Sequence, residues 1–263
     1  MQAGGQNARV SRIAIAPVKG LALQLPDEVV LGSHGVAENR RLHLIDETGR
    51  LVNDKTALRL MLVAADLDLE AGTLALRIPE GSEVADELTL GEPTTTIFYG
   101  RPVAGHVLVG PWAQALSDWV GLELRLVMSD EPGAASDRGL RAGVSIISGA
   151  SIADVARAGG ADALDGRRFR MLFEIDGVEP YAEETWIDRD VRIGEAVVRP
   201  RGNIGRCVVT TCDPDTATRD FDTLRVLAQH RKDVETNEPL PLGVVGTVVT
   251  PGRVRVGDAV LAL

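Results

Sequence analysis

The chain contains two cysteines, and they are its residues with the most distinctive chemistry. Cys207 follows Arg206 directly, and Cys212 comes five positions later. A deprotonated thiolate is a good ligand for a soft metal, and a neighbouring guanidinium favours the thiolate form. Free cysteine is also among the most buried residue types. From the residues alone, Cys207 is therefore either a metal ligand or a small apolar side chain packed in a strand.

Other common catalytic patterns do not occur in the sequence. The C-x4-C spacing does not match a zinc site, and the four histidines are scattered without an i, i+4 pair. The chain has no G-x-G-x-x-G, no G-x-x-x-x-G-K-[ST], no H-E-x-x-H and no G-x-S-x-G. At the level of motifs, this argues against the common nucleotide-binding and hydrolase functions.

Composition and charge narrow the class of partner. The net charge is -10 and only 3% of residues are aromatic, so neither nucleic acid nor an anionic membrane surface is an expected partner. The N-terminus has no apolar signal-peptide core, and no apolar run reaches the length of a membrane span. Two cysteines fit a reducing compartment. We expect a cytoplasmic protein.

The elements that must position Cys207 are mostly strands. Alternating or β-branched runs predict strands in the first half at Val10–Val18, Arg41–Asp46, Thr73–Ile78, Thr94–Tyr99, Pro102–Val109 and Leu122–Met128. Asp66–Glu70 and Thr73–Ile78 form a predicted hairpin. Pro111–Val120 has the pattern of a short helix that Gly121 ends.

The second half repeats this mixture. Its predicted strands are Val144–Ser148, Arg168–Ile175, Val191–Arg199, Arg206–Thr211, Gly243–Val249 and Arg253–Leu263, and its predicted helices are Ser151–Ala158 and Phe221–Arg231. The loop-like run from Ser129 to Gly139 suggests a boundary between a domain at 9–128 and a domain at 129–263. The expected fold is mainly β with short helices (α+β), organised as two β-barrels.

Five segments, in order along the chain, carry a family resemblance. They are Ile13–Gly20 (IAIAPVKG), Gly35–Arg40 (GVAENR), Phe169-Arg170 with Pro180–Trp186 (PYAEETW), Arg206–Thr216 (RCVVTTCDPDT) and Gly252–Asp258 (GRVRVGD). Together they resemble the MOSC (molybdenum cofactor sulfurase C-terminal) domain family. The likeness is to its two-domain, amidoxime-reducing members, in which an N-terminal β-barrel domain precedes the MOSC β-barrel. Three positions depart from the family pattern: Asn39 replaces aspartate, and Met171 and Leu172 replace proline and asparagine.

The resemblance assigns roles to residues of this chain. It implies that Cys207 is the catalytic residue and ligates molybdenum beside the dithiolene sulfurs of molybdenum cofactor (molybdopterin). The cofactor's anionic tail and polar pterin need cations, and the matching positions are Lys19, Arg40, Arg170 and Arg206. Ser148 and Ser151 match a family S-x-x-S run and are further candidates to bind the cofactor. Ser151 has an alternative role as a helix N-cap.

The remaining motif residues have plainer interpretations. The odd offset of Cys212 from Cys207 predicts a core residue, on the opposite face if the strand is regular. Asp213–Thr216 is typical of a turn, and Asp258 of a turn closure. Glu183, Glu184 and Trp186 either shape a substrate entrance or lie on a solvated rim.

The resemblance implies an oxidoreductase that reduces N-hydroxylated or N-oxygenated small molecules. Two cysteines are too few for a four-thiolate cluster, so we expect a separate electron-transfer reductase, a flavin or iron–sulfur protein. One alternative is a molybdenum-cofactor carrier or sulfur-relay protein that uses a Cys207 persulfide. Another is a binding module without chemistry. Pyridoxal phosphate, associated with the family through fused sulfurases, is not expected, because no lysine has an evident Schiff-base context.

Overall fold

The computed structural model describes residues 7–131, 139, 142–236 and 238–263. Strands dominate these ranges and the helices are short, which confirms the predicted mainly β fold. Within the described residues, no helix is both long and apolar enough to cross a lipid bilayer.

A nearly closed seven-stranded sheet forms one layer of the molecule. In order across the sheet its strands are β1 (Arg9–Ile13), β12 (Phe173–Asp176), β11 (Val144–Ser148), β15 (Pro241–Thr250), β14 (Ala196–Gly205), β13 (Val191–Ile193) and β17 (Val260–Ala262). A bridge between Arg9 and Ala259 brings β1 beside the segment that leads into β17, so the sheet curls almost into a barrel. Its core includes Phe173, Val191 and Val244.

Smaller sheets surround a second core. A five-stranded sheet has the order β4 (Leu51–Val52), β3 (Leu42–Asp46), β10 (Leu124–Ser129), β9 (Arg101–Val109), β8 (Thr89–Phe98), and a three-stranded sheet has the order β5 (Ala64–Asp68), β6 (Thr73–Ile78), β7 (Ser82–Glu87). The predicted hairpin is confirmed as the β5–β6 pair. Trp112 fills the core between these sheets, and its indole nitrogen donates to the Leu74 carbonyl at 2.9 Å.

Short helices connect and cover the sheets. The α-helices are α1 (Trp112–Val120), α2 (Gly149–Ala158) and α3 (Thr223–His230), and the 3-10 helices are Leu58–Leu62, Gly166–Phe169, Ala182–Trp186 and Val208–Thr211. Pro111 precedes α1 and Gly121 ends it in a left-handed conformation, as predicted. Helix α2 begins earlier than predicted, because its N-cap is Ser148 and not Ser151.

The predicted strand Val10–Val18 is wrong beyond Ile13. After β1 the chain makes only isolated bridges, and their partners change: Ile15 bridges Gln24 and Val18 bridges Leu42. Pro17 has no N–H to continue a ladder. The segment therefore crosses from the seven-stranded sheet to the five-stranded sheet, and apolar alternation alone does not reveal such a change of partner.

The predicted strand Arg206–Thr211 is also wrong. Strand β14 ends at Gly205, and a 3-10 helix follows at Val208–Thr211. Two threonine hydroxyls turn back to donate to carbonyls one turn earlier, Thr210 to Cys207 at 2.9 Å and Thr211 to Val208 at 2.7 Å. These local bonds favour a turn over a ladder, although both residues are β-branched.

Three other predicted strands differ from the structure. The predicted strand Val191–Arg199 is a hairpin of β13 and β14 that turns at Gly194. The predicted strand Arg168–Ile175 begins as the 3-10 helix Gly166–Phe169, capped by Asp165, and becomes β12 only at Phe173. The predicted terminal strand Arg253–Leu263 divides into β16 (Gly252–Arg255) and β17, separated by the Asp258 turn.

The first half of the chain contributes two strands that pair with strands of the second half. Strand β1 pairs with β12, and β2 (Glu28–Leu31) pairs with β16, so the start of the chain is built into the sheets of its second half. The stretch 132–138 of the predicted linker lies outside the described residues. The boundary between residues 128 and 129 remains a prediction.

Candidate functional site

A cleft lies where the two halves of the chain meet. The first half lines it with Lys19, Gly20, Arg40, Asn53, Asp54, Lys55 and Tyr99, and the second half with Arg168, Phe169, Arg170, Ile204, Gly205, Arg206, Cys207, Val209 and Thr210. A cleft that two packed parts of a chain line together is a common place for a small-molecule ligand. Five of the residues singled out from the sequence, namely Lys19, Arg40, Arg170, Arg206 and Cys207, share it.

Cys207 is half-buried at the point where β14 gives way to a 3-10 helix. Its carbonyl accepts the backbone N–H of Thr210 at 3.1 Å and the Thr210 hydroxyl at 2.9 Å. Its side chain packs at the edge of an apolar cluster that contains Met61 and Val209. The thiol therefore has an apolar base on one side and the cleft on the other.

Arg168 holds the segment after Cys207 in place, and sequence reasoning missed it. Its buried guanidinium makes a bidentate ion pair with Asp220 at 3.0 and 2.9 Å, and a longer bond to the Thr210 carbonyl at 3.3 Å. This pairing lowers the pKa of the Asp220 carboxyl. Thr223, the first residue of α3, donates to the same carbonyl at 2.7 Å. The 3-10 helix is thus tied to its neighbours on two sides.

Arg206 is buried and its donors bind the protein itself. Its guanidinium donates to the Phe169 carbonyl at 3.0 Å and to the Leu242 carbonyl, and it contacts the Met171 sulfur at 3.2 Å. Met171 and Leu172, the residues that depart from the family pattern, are both buried in apolar clusters. Arg206 therefore supports the backbone beside Cys207, with one of its contacts on the replacement residue Met171.

Arg40 and Arg170 interlock on the cleft wall. Both residues are left-handed, with φ of 58° and 53°. The Arg40 side chain donates to the Arg170 carbonyl at 3.2 Å, and the Arg170 side chain donates to the Leu21 carbonyl at 2.6 Å. Arg170 also faces Asp54 at 3.7 Å. Left-handed non-glycine residues are strained and recur at ligand sites.

Lys19 and Lys55 both lie near the ring of Tyr99. Their ammonium groups are 6.0 and 5.8 Å from the centre of the Tyr99 ring. The two lysines are neighbours because Gly20, at φ +90°, lets the backbone of Asp54 approach so closely that a Cβ on Gly20 would lie 2.9 Å from the Asp54 nitrogen. Sequence reasoning missed Lys55 and Tyr99. The available signal was the scarcity of lysine, since the chain has only three.

The cleft wall is locally basic in an acidic protein. Cationic side chains from both halves line the cleft, and Asp54 is the carboxylate among the lining residues. The chain as a whole has a net charge of -10. In the part of the chain that the structure describes, no three His, Cys, Asp or Glu side chains cluster as a metal site would require. Such a wall attracts a small anion.

Ser148 and Ser151 lie outside the cleft, in a buried network around Glu183. The hydroxyls of the two serines are 2.6 Å apart, and the Ser151 hydroxyl donates to Glu183 at 2.9 Å. Glu183 also accepts the Ser148 N–H at 3.1 Å, and burial raises the pKa of its carboxyl. Glu183 is fully buried, so the expectation of an entrance or rim position is wrong for it.

The other motif residues are structural. Asp213 accepts the N–H groups of Asp215 and Thr216 at 3.0 and 2.8 Å, which confirms the predicted turn. Cys212 is fully buried, which confirms it as a core residue. Glu184 pairs with Arg231 at 2.6 Å, and Trp186 is buried, so neither forms a solvated rim. Asp258 accepts the Arg255 N–H at 2.8 Å and closes its turn.

Two known family profiles match the chain, one in each half. The profile of the MOSC N-terminal beta barrel domain matches residues 7–103, and the profile of the MOSC domain matches residues 134–261. The chain belongs to the MOSC family.

Several curated proteins are similar in sequence to this MOSC protein. It is 27% identical to mitochondrial amidoxime-reducing component 1 of Xenopus laevis, over 95% of this chain and 81% of the relative. It is 25% identical to molybdenum cofactor sulfurase of Danio rerio, over 86% of this chain but only 31% of that protein. Among solved structures, the YUAD protein of Bacillus subtilis covers 97% of this chain and 94% of its own length, with 12% identity and a TM-score of 0.45.

Proposed function

We propose that this MOSC protein binds molybdenum cofactor in the cleft and reduces N-hydroxylated or N-oxygenated small molecules. The observation that carries the proposal is the meeting of Cys207 with Lys19, Arg40 and Arg170 on one cleft wall. A thiolate is a suitable molybdenum ligand, and the cations suit an anionic pterin tail. The relationship to amidoxime-reducing component 1 supports the same activity.

The residues present fit the proposed cofactor. Cys207 supplies a single half-exposed thiol, which suffices for a metal that arrives with two sulfur ligands of its own. We call Lys19, Arg40 and Arg170 the cation cradle. The Arg40 side chain is held by the Arg170 carbonyl and the Arg170 side chain by the Leu21 carbonyl, so the cradle is formed before any ligand binds. When bound, the cofactor supplies the two-electron reduction of the N–O bond.

The chain's own residues have three tasks in this proposal. Lys19 and the Arg40–Arg170 pair bind and orient the anionic group. Cys207 fixes the metal end, and Arg206 and Arg168 hold the backbone on either side of it. We propose that electrons come from a separate flavin or iron–sulfur reductase.

Analysis of protein purified from a host that makes the cofactor tests this function. We expect about one molybdenum and one pterin per chain, and reduction of benzamidoxime with a reduced dye as electron donor. NADH alone should not support turnover. Purified protein without pterin, or loaded protein that leaves benzamidoxime intact, would contradict the proposal.

A second function is favoured by one observation, the relationship to molybdenum cofactor sulfurase over a part of that protein. In this alternative the half-exposed Cys207 thiol carries a persulfide and passes sulfur to the cofactor. The two functions differ in the state of the thiol when cofactor is present. A metal ligand is protected from alkylation, whereas a relay thiol reacts.

A further inference from the structure

Tyr99 differs from every other aromatic residue of this protein. The chain has four Phe, two Tyr and three Trp, and all nine lie within the described ranges. Only Tyr99 is exposed, at 67%. Aromatic rings are usually buried because they carry a large apolar surface. An exposed ring on the wall of a cleft is therefore available to a ligand.

The turn that carries Tyr99 is strained and firmly anchored. Tyr99 and Gly100 connect β8 to β9 with φ of 50° and 84°, the geometry of a type I′ turn. Asparagine suits the first of these positions, whereas a bulky residue is strained there. The preceding residue, Phe98, is buried and packs edge-on against His43 with ring centres 4.9 Å apart. The ring thus projects from a rigid base.

Lysine is concentrated around this ring. Of the 28 Lys and Arg residues only three are Lys, and the ammonium groups of two of them lie about 6 Å from the centre of the Tyr99 ring. Asp54, the carboxylate among the residues that line the cleft, faces Arg170 at 3.7 Å. Lys55 is exposed, so its ammonium group can reach a ligand that lies on the ring. Ring and ammonium together recognise a flat molecule with a negative charge.

We propose that Tyr99 and Lys55 form an entrance subsite that selects aromatic substrates bearing a carboxylate. The substrate ring stacks on Tyr99, and its carboxylate pairs with Lys55. The N-oxygenated group then points along the cleft toward Cys207. This inference rests on the proposed function, since it names the substrate class of the same cleft.

Three amidoximes separate the contributions of ring and charge: 4-carboxybenzamidoxime, benzamidoxime and acetamidoxime. Lys55→Gln should raise KM for the carboxylated compound about fivefold more than for benzamidoxime. Tyr99→Asn should raise KM for both aromatic compounds relative to acetamidoxime.

Because asparagine suits the turn, the same variant should also melt at a higher temperature than the wild type. Lys232→Gln, at an exposed position after α3, is the matched control and should retain wild-type preference.

Unchanged substrate ratios in both variants would overturn the subsite. Loss of pterin from either variant would also overturn it, because the residues would then hold cofactor rather than substrate. If the wild type reduces no amidoxime, the proposed function fails. Calorimetric titration of 4-carboxybenzamidoxime into the purified protein then tests separately whether the subsite binds this class of molecule. Weaker binding by both variants than by wild type would sustain it, and equal or absent binding would refute it.

Discussion

Cys207 and Cys212 lie close in sequence but differ in environment. Cys207 is half-buried on the cleft, whereas Cys212 is fully buried in an apolar cluster. We expect Cys207→Ser to fold, to retain some pterin and to be inactive, because the cation cradle remains but the metal ligand is lost. Cys212→Ser should stay active and lose about 1 kcal/mol of stability. Dye-linked activity, pterin content and urea denaturation measure these effects.

Alkylation of Cys207 is the companion measurement. Under metal ligation the thiol should be protected in cofactor-loaded protein and reactive in the apoprotein. Equal labelling in the two forms would refute ligation and favour the sulfur-relay alternative.

His43 makes stability depend on pH. It is buried, its Nε2 and the Thr96 hydroxyl are 2.9 Å apart, and burial, aided by the charge of Lys19, lowers its pKa from 6.5 to about 4. Between these two values the unfolded chain binds a proton that the folded chain does not. The free energy of unfolding should therefore fall as pH drops from 6.5 toward 4, by about 2 kcal/mol from this residue.

The variant His43→Gln should remove this contribution, since an amide can still bond Thr96 but does not titrate. Urea denaturation at pH 7 and pH 4.5 should show a smaller loss for the variant than for wild type. Equal losses would mean that His43 is not the titrating group.

At the level of residues, sequence reasoning located the cleft through family motifs but missed side chains that no motif contains. Tyr99 and Lys55 reach the cleft by the geometry of a hairpin and of a close backbone contact. Ser148 and Ser151 show the opposite case. They match a family motif but lie in a buried network outside the cleft, where the Ser151 hydroxyl donates to Glu183, and cofactor binding by them remains a prediction.

At the level of elements, the errors have two physical causes. Apolar alternation does not reveal which strand a segment pairs with, and after Ile13 the chain makes isolated bridges to Gln24 and Leu42 in place of a continuous ladder. Residues Val208–Thr211 turn because threonine hydroxyls bond nearby carbonyls. Isolated hairpins such as β5–β6 were predictable, since their partner is next in sequence.

Gly20 links two elements of the cleft and offers a test at this scale. A Cβ there would need a left-handed conformation and would lie 2.9 Å from the Asp54 nitrogen. We expect Gly20→Ala to cost about 2–3 kcal/mol and to lower pterin content, because the Asn53–Lys55 segment must move. Gly49→Ala is the control: φ is +80° but nothing lies within 4 Å, so the cost should be only about 1 kcal/mol. Equal costs, measured by urea denaturation, would mean that the close contact is unimportant.

At the level of the whole molecule, composition and periodicity predicted a mainly β protein, and the order of motifs predicted its family. Neither indicated that β1 belongs to the sheet of the second half. Register between distant strands depends on how the cores pack, and local pattern does not contain that information.

The seven-stranded sheet contains β1 from the first half of the chain, and this predicts the behaviour of a fragment that begins near Gly133. Without β1 the fragment loses the buried side chains of Val10 and Ile13, and leaves unpaired backbone on β12 and around Ala259. We expect it to lack a cooperative thermal transition and to retain little pterin. Adding residues 1–131 in trans is the control and should restore the transition. A fragment that melts cooperatively at the temperature of the full chain would show that β1 is dispensable.

The pairing of β1 with strands of the second half also affects how the protein folds during its synthesis. Strand β1 leaves the ribosome early, but Asp176 and Ala259, the partners of Arg9, are made much later. At ordinary translation rates the gap to Ala259 is on the order of 10–50 s. During that interval β1 is an unpaired strand exposed to neighbouring nascent chains. Its sequence RVSRI places Arg9 and Arg12 along it, and such charges discourage pairing with the wrong edge. We infer that these two arginines keep the strand available for the barrel it eventually closes.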